Sequence, residues 1–227
     1  HELIPAADAF PGAWGRLYLL LIHYFVLHLL FMNVMLGSAI MAFIHDLRRK
    51  NTAVSKDIST KLPYTIAFTI NLGVAPFLFL QVIYGHFIYT SSVLMAGYWL
   101  SVIGLLILLY YSAYIYDFRF DKMPGSRTFF IGLSVILGLI VAFLFVNNMT
   151  LMLRPETWSK YFTNRSGTIL NLGDPMLWPR YLHFITASVA VAGLFQALMA
   201  KLRPALPDRE KRIDQGMKWF TYATVVQ

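Results

Sequence analysis

Residues 62–116 read LPYTIAFTINLGVAPFLFLQVIYGHFIYTSSVLMAGYWLSVIGLLILLYYSAYIY and contain no Asp, Glu, Lys or Arg. A membrane crossing takes about 20 apolar residues, so this stretch is long enough for two helices and too long for one. Lipid offers no partner to a free backbone N–H or C=O, so both crossings must be helical, with a turn expected near Tyr89 to Ser92. The same reading extends outward in both directions. Charge-free runs at residues 17–44, 128–153 and 181–200 each supply one more crossing. The chain is therefore expected to be an all-α, polytopic transmembrane helical bundle forming one membrane domain. Its spans fall at about 17–44, 63–90, 92–116, 128–150 and 181–201. A sixth begins around 217 and runs out at 227, which suggests a piece of a longer protein; the start at His1 suggests processing or a missing beginning.

Composition agrees: 58% of residues are hydrophobic and only 13% charged, with a mean hydropathy of +0.59. A soluble domain of this size needs far more polar surface. Without cysteine, disulfides, iron–sulfur clusters and covalently attached c-type haem are excluded from this chain.

Basic residues set the orientation, because basic loops resist translocation. Arg48, Arg49, Lys50, Lys56 and Lys61 follow the first span, Arg119, Lys122 and Arg127 the third, and Lys201, Arg203, Arg209, Lys211, Arg212 and Lys218 the fifth. The opposite side holds only Arg16, Arg154, Lys160, Arg165 and Arg180. The N-terminus is expected outside the cytoplasm. The net charge of +8 is then a product of topology, and a nucleic-acid partner is not expected. The longest connection, 148–180, lies outside, and Pro155-Glu156-Thr157-Trp158 within it reads as a helix start. Trp14, Trp158 and Trp178 fit an outer aromatic belt.

Ionisable groups at membrane depth are costly and seldom idle. His23 and His28 lie in the first span, His86 in the second and His183 in the fifth. Counting 1.5 Å per residue, His183 and His86 sit roughly 6–7 Å below the outer edge, His23 about 10 Å and His28 about 17 Å. His23 and His28 are about 140° apart around their helix, so they cannot both face one partner. Neutral imidazole is a standard haem-iron ligand, and Arg16, Arg154 and Arg180 are placed to meet propionates. The competing reading is that each histidine merely bonds a neighbouring carbonyl or hydroxyl. His45, beside the basic turn, is read as interfacial. Gln81 and Gly85 are one turn apart and expected to share a face open to a helix or cofactor. Asn33, Asn71, Asn147 and Asn148 are as well explained by interhelical hydrogen bonds. Pro76 is expected to kink the second span.

Several of these features together resemble the N-terminal half of subunit I of cytochrome bd quinol oxidases. The second span carries Leu72-Gly73-Val74-Ala75 followed after nine residues by Gly85, the first has His28 and Gly37 in His-x8-Gly spacing, and the fifth has His183 followed by Ala187, Ser188, Ala190, Ala192 and Gly193. Val146-Asn147-Asn148-Met149 is similar to the family's Asn-Gly-Trp-Met stretch. The resemblance implies an oxidoreductase subunit binding haem b, in one or two copies, with haem d, a further haem or quinone as additional cofactors. His183 would be a low-spin haem ligand and His28 an active-site haem ligand, with His23 as its rival. Further membrane subunits and an outer-face cytochrome are the implied partners.

Departures from the pattern are equally specific. Gln81 stands where the family has Glu, the third span has no acid, and His86 has no counterpart among the family's ligands. Oxygen reduction is therefore doubtful, because its protons need titratable groups along the way. The expectation is electron transfer between quinone, or an outer-face partner, and an outer haem site in a prokaryotic inner membrane. The alternative is an anchoring subunit of a redox complex that has lost its cofactors.

Overall fold

The computed structural model describes Ile4 and residues 12–227, so His1 lies outside the described residues. Helices make up most of the described chain: α1 (Trp14–Leu47), α2 (Thr52–Ser59), α3 (Leu62–Ile83), α4 (Gly85–Leu94), α5 (Ala96–Phe118), α6 (Arg127–Met152), α7 (Leu177–Lys201) and α8 (Arg209–Val226), with a short 3-10 helix at Pro155–Phe162. Five of these, α1, α3, α5, α6 and α7, are long and apolar enough to cross a membrane. Their lipid-facing surfaces carry large exposed apolar side chains such as Leu19, Phe68, Leu100, Ile103 and Leu182, where a bilayer replaces the missing protein core.

Helix α1 is the hub, packing against α3, α6 and α7, while α5 pairs with α6 and α8 with α7. Small residues set these crossings. A Cβ on Gly37 would overlap the Ser188 carbonyl oxygen and stand 2.7 Å from the Ala192 Cβ, so α1 and α7 touch backbone to backbone. Between α7 and α8, a Cβ on Gly216 would lie 2.6 Å from the Gly193 oxygen, and one on Gly193 2.7 Å from the Phe220 nitrogen. Helices in lipid associate through such close packing, since burial of apolar surface gains little there. The small residues after His183 thus have a packing role: Ser188 and Ala192 receive Gly37, and Gly193 receives α8.

The division between the second and third spans differs from the expected turn at Tyr89 to Ser92. Helix α3 runs unbroken through Pro76 and stops at Tyr84 (φ −125°, ψ 36°). With 22 residues it is already about 33 Å long, the full thickness of the hydrocarbon. Helix α4 is a separate element that buries Ile88, Ser91 and Leu94 against α6 and the 3-10 helix. A second break at Met95 begins α5. Gln81 and Gly85 consequently belong to different helices, and a Cβ on Gly85 would meet only the Tyr89 ring of its own helix. The last helix starts at Arg209, eight positions before the expected start of the sixth span, because its polar first turns pack beside α7.

At its C-terminal end α1 continues to Leu47 and closes with a hydrogen-bonded turn in which Lys50 N–H reaches the His45 oxygen (2.9 Å) and Arg49 N–H the Asp46 oxygen (3.1 Å). Arg49 adopts the left-handed conformation this turn requires (φ 51°). The extra turn carries Asp46 into the protein, where its side chain is wholly buried. Tyr116 donates its hydroxyl to Asp46 Oδ2 (2.9 Å), Arg127 Nε stands 3.4 Å from the same oxygen, and the Arg127 guanidinium lies over the Phe120 ring. A carboxylate is therefore present in a membrane-spanning helix, which the charge-free count to residue 44 had missed. His45 is buried as well, edge-on to Trp219.

Candidate functional site

The predicted histidines lie in four places along the bundle, and each makes a different contact. His28 turns toward α3, where its Nδ1 lies 2.9 Å from the Thr69 carbonyl oxygen. A carbonyl only accepts, so Nδ1 carries the proton and Nε2 keeps its lone pair. One turn further along α3, Gly73 lets the imidazole lie against the backbone, since a Cβ there would come within 2.8 Å of the ring. The glycine of the Leu72-Gly73-Val74-Ala75 motif is thus part of the histidine's seat.

His23 is exposed and edge-on to Tyr24, which stacks on Phe79 of α3. The 140° separation is resolved in favour of His28 as the residue facing a neighbouring helix. His183 is exposed on α7, with both ring nitrogens near Gln227 Nε2 (3.1 and 3.3 Å). His86 lies in the first turn of α4, outside the membrane-spanning α3, and is exposed. Gln81 is half-buried near the end of α3. Among the described residues no group of three His, Cys, Asp or Glu could hold a metal ion.

Of the three outer arginines, Arg16 is exposed and Arg180 half-buried, while Arg154 is committed. Its Nε donates to Asp174 Oδ2 (2.9 Å) and its Nη1 reaches Glu156 (3.5 Å). Asp174 organises the outer connection, accepting also from the Met176 N–H (2.7 Å) at the entrance to α7. The segment is anchored elsewhere by Gly97 N–H to the Gly167 oxygen (2.9 Å), Ile169 N–H to the Leu94 oxygen (3.0 Å) and Trp158 Nε1 to the Leu151 oxygen (2.9 Å). Beneath it, Asn147 accepts from the Asn171 N–H (2.8 Å). Asn148 Oδ1 accepts from Ser91 (2.8 Å), and its Nδ2 donates to Ser92 (3.2 Å). Both asparagines are fully buried; Asn148 makes the expected interhelical bonds and Asn147 bonds the connection, whereas Asn71 donates to the Ala67 oxygen of its own helix (2.8 Å) and Asn33 Oδ1 has no partner.

Burial pushes the Asp174 carboxyl up, but the Met176 amide and the Arg154 guanidinium together outweigh it and hold the group below the usual carboxylate range. A depressed folded pKa stabilises the outer segment above the unfolded value of about 3.9 and ceases to do so as pH falls through the folded value. The protection of residues 163–176 against hydrogen exchange, taken relative to the intrinsic rate at each pH, is accordingly expected to be flat from pH 7 to about 5 and to fall below about 4. Asp174→Asn should exchange fast throughout that range. Acid-independent protection in the wild type would refute the assignment.

The sequence reading passed over Asp174, Thr69 and Asp46. Asp174-Pro175 before an apolar run carried a usable signal, being a turn that leads into a helix. Thr69 had none, since it acts through its backbone oxygen. Comparison with protein-family models, curated proteins and solved structures finds no match to this chain.

Proposed function

We propose that this chain is a haem-binding membrane subunit of a cytochrome bd-like respiratory oxidoreductase in a prokaryotic inner membrane, with its N-terminus outside. It would pass electrons between quinone, or an outer-face redox protein, and a haem near the outer surface. The observation that carries the reading is the seat of His28. A histidine whose Nδ1–H is held by a backbone carbonyl presents a fixed, basic Nε2, the usual arrangement behind a metal-bound imidazole. His183 supports it from the neighbouring helix. His28 and His183 lie about 13 and 7 Å on the N-terminal side of the Gly37–Ser188 crossing, and their exposed or half-buried rings leave room for a ligand from outside these helices. Arg16 and Arg180 supply positive charge for propionates, whereas Arg154 is occupied by Asp174.

When bound, haem supplies a one-electron couple; the chain's part is to fix the imidazoles, keep water from the apolar faces and offer cations at the outer edge. Oxygen reduction is not included, because Gln81 cannot carry protons and the two carboxylates in the crossing helices, Asp46 and Asp117, both lie at the helix ends away from His28 and His183. The purified protein, expressed with its native membrane partners, is expected to show b-type absorption bands. His28→Ala should remove at least one haem equivalent by pyridine haemochromogen assay, and Gly73→Ala should shift the spectrum by displacing the ring. No haem absorption in the wild type, or full haem content in both His28→Ala and His183→Ala, would sink the reading.

The alternative, an anchoring subunit without cofactors, draws on one observation: the small residues that follow His183 already serve helix crossing. It predicts that His183→Ala leaves haem content and electron transfer of the whole complex unchanged.

A further inference from the structure

On the inner side of the bundle a cavity of about 240 Å³ opens between α1, the start of α3 and the end of α7. Its wall is apolar, formed by Phe31, Val34, Phe68, Phe195 and Met199. Tyr64 and Phe68 are also strongly exposed on the lipid-facing surface (69% and 53%), so the cavity is open sideways to the bilayer. Its rim is charged in a particular way. Asp57 lies 2.6 Å from Lys61, 3.6 Å from Arg203 and 3.7 Å from Arg212. Three cations surround one carboxylate, leaving two positive charges over an apolar pocket.

Such a pairing is poor as a purely structural network. Arg203 and Arg212 come from the connection after α7 and the first turn of α8, and both crowd the same acid at distances too long for strong charge-assisted hydrogen bonds. An anion between the guanidinium groups would satisfy both. One further polar group lies deeper in the pocket. Gln196 Oε1 is buried without a hydrogen-bond partner, about 10 Å along α7 from Arg203. The two ends of an amide interchange by a half-turn, so this side chain can serve a polar linkage of either kind. A bare acyl chain would leave it unpaired.

We propose that this cavity binds one anionic phospholipid of the inner leaflet, its phosphate between Lys61, Arg203 and Arg212 and an acyl chain along Phe31, Phe68 and Phe195. The charge at the rim, the apolar wall and the lateral opening stand in the order in which a lipid presents phosphate, linkage and chain. The site lies at the opposite end of the bundle from the histidines and does not depend on the haem reading.

Native mass spectrometry of the delipidated full chain in detergent tests this with phosphatidylglycerol, phosphatidylcholine of the same chains, and inorganic phosphate. One phosphatidylglycerol per chain is expected to bind saturably, at least tenfold more tightly than phosphatidylcholine, while millimolar phosphate neither binds nor competes. Arg203→Gln with Arg212→Gln should weaken phosphatidylglycerol roughly tenfold or more, and Arg48→Gln with Arg49→Gln, on the same side outside the cavity, should not. If the double arginine variant fails to fold, Phe68→Trp, which fills the chain groove and leaves the charges in place, must weaken the lipid instead. Equal binding of both lipids overturns the proposal. So does retention of phosphatidylglycerol by the folded variants, or competition by free phosphate that would mark a simple anion site.

Discussion

Gly37→Val is expected to cost about 3 kcal/mol or more of folding stability, the upper end of what overpacking usually costs. The reason is that the obstacle is backbone. The new Cβ would overlap the Ser188 carbonyl oxygen and press on the Ala192 Cβ, and neither can rotate away, so α1 and α7 must separate along the crossing. Separation also loosens the hub helix from its partners, because α1 touches α3 and α6 through the same stretch. Gly104 supplies the contrast. It lies within α5 with nothing within 4 Å of its would-be Cβ, so Gly104→Ala should be neutral or gain up to about 1 kcal/mol from the helix preference of alanine. Equilibrium unfolding in mixed detergent and SDS reads both. A wild-type midpoint for Gly37→Val would mean that α1 and α7 do not cross where described.

Asp46→Ala is the second large effect, at about 3–5 kcal/mol, the range for breaking a buried ion pair by removing one partner. The Asp46 side chain is 0% exposed and that of Arg127 14%, so the guanidinium left behind has little water to replace its counter-charge. The Tyr116 hydroxyl loses its acceptor in the same substitution. Removing both charges should be milder. Asp46→Leu combined with Arg127→Met is expected to recover a substantial part of the loss, since an apolar pair of similar volume avoids the desolvation penalty of the ions. If the double variant is as unstable as the sum of the single ones, the two residues are not coupled and the inner-end cluster is misassigned.

The crossings were legible because lipid leaves so few options. A charge-free run of the right length has to be a helix, and each of the five crossing helices overlaps one of the spans expected from the sequence. Ends were less legible because charge is a poor guide to where a helix stops. Helix α1 runs past the last apolar residue to a hydrogen-bonded turn built around Arg49, so Asp46 travels inward with it. The break at Tyr84 was also hidden: Pro76 is the stronger local signal, yet the helix passes through it. The interruption falls where Ile88, Ser91 and Leu94 find α6, which is a matter of tertiary packing. At the candidate site, spacing alone could say that His23 and His28 face apart, but not which one meets a helix. That choice rests on Thr69 and Gly73, forty residues and one helix away. Asp174 was invisible for a similar reason, since its meaning depends on Arg154 across the outer connection.

The central position of α1 also has a consequence in time. Gly37 is synthesised early, but the Ser188 backbone that covers it leaves the ribosome only about 150 residues later. At ordinary elongation rates of 5–20 residues per second, the delay is on the order of ten to thirty seconds. Throughout it the first helix carries an open notch at Gly37, a shape that invites pairing with whichever small-faced helix arrives first. Helix α3 already covers a neighbouring face of α1 and so limits which strangers can enter. The order in which the spans are born therefore leaves the notch only partly shielded until its proper partner is made, and a chain stalled before α7 would keep it open to other membrane helices.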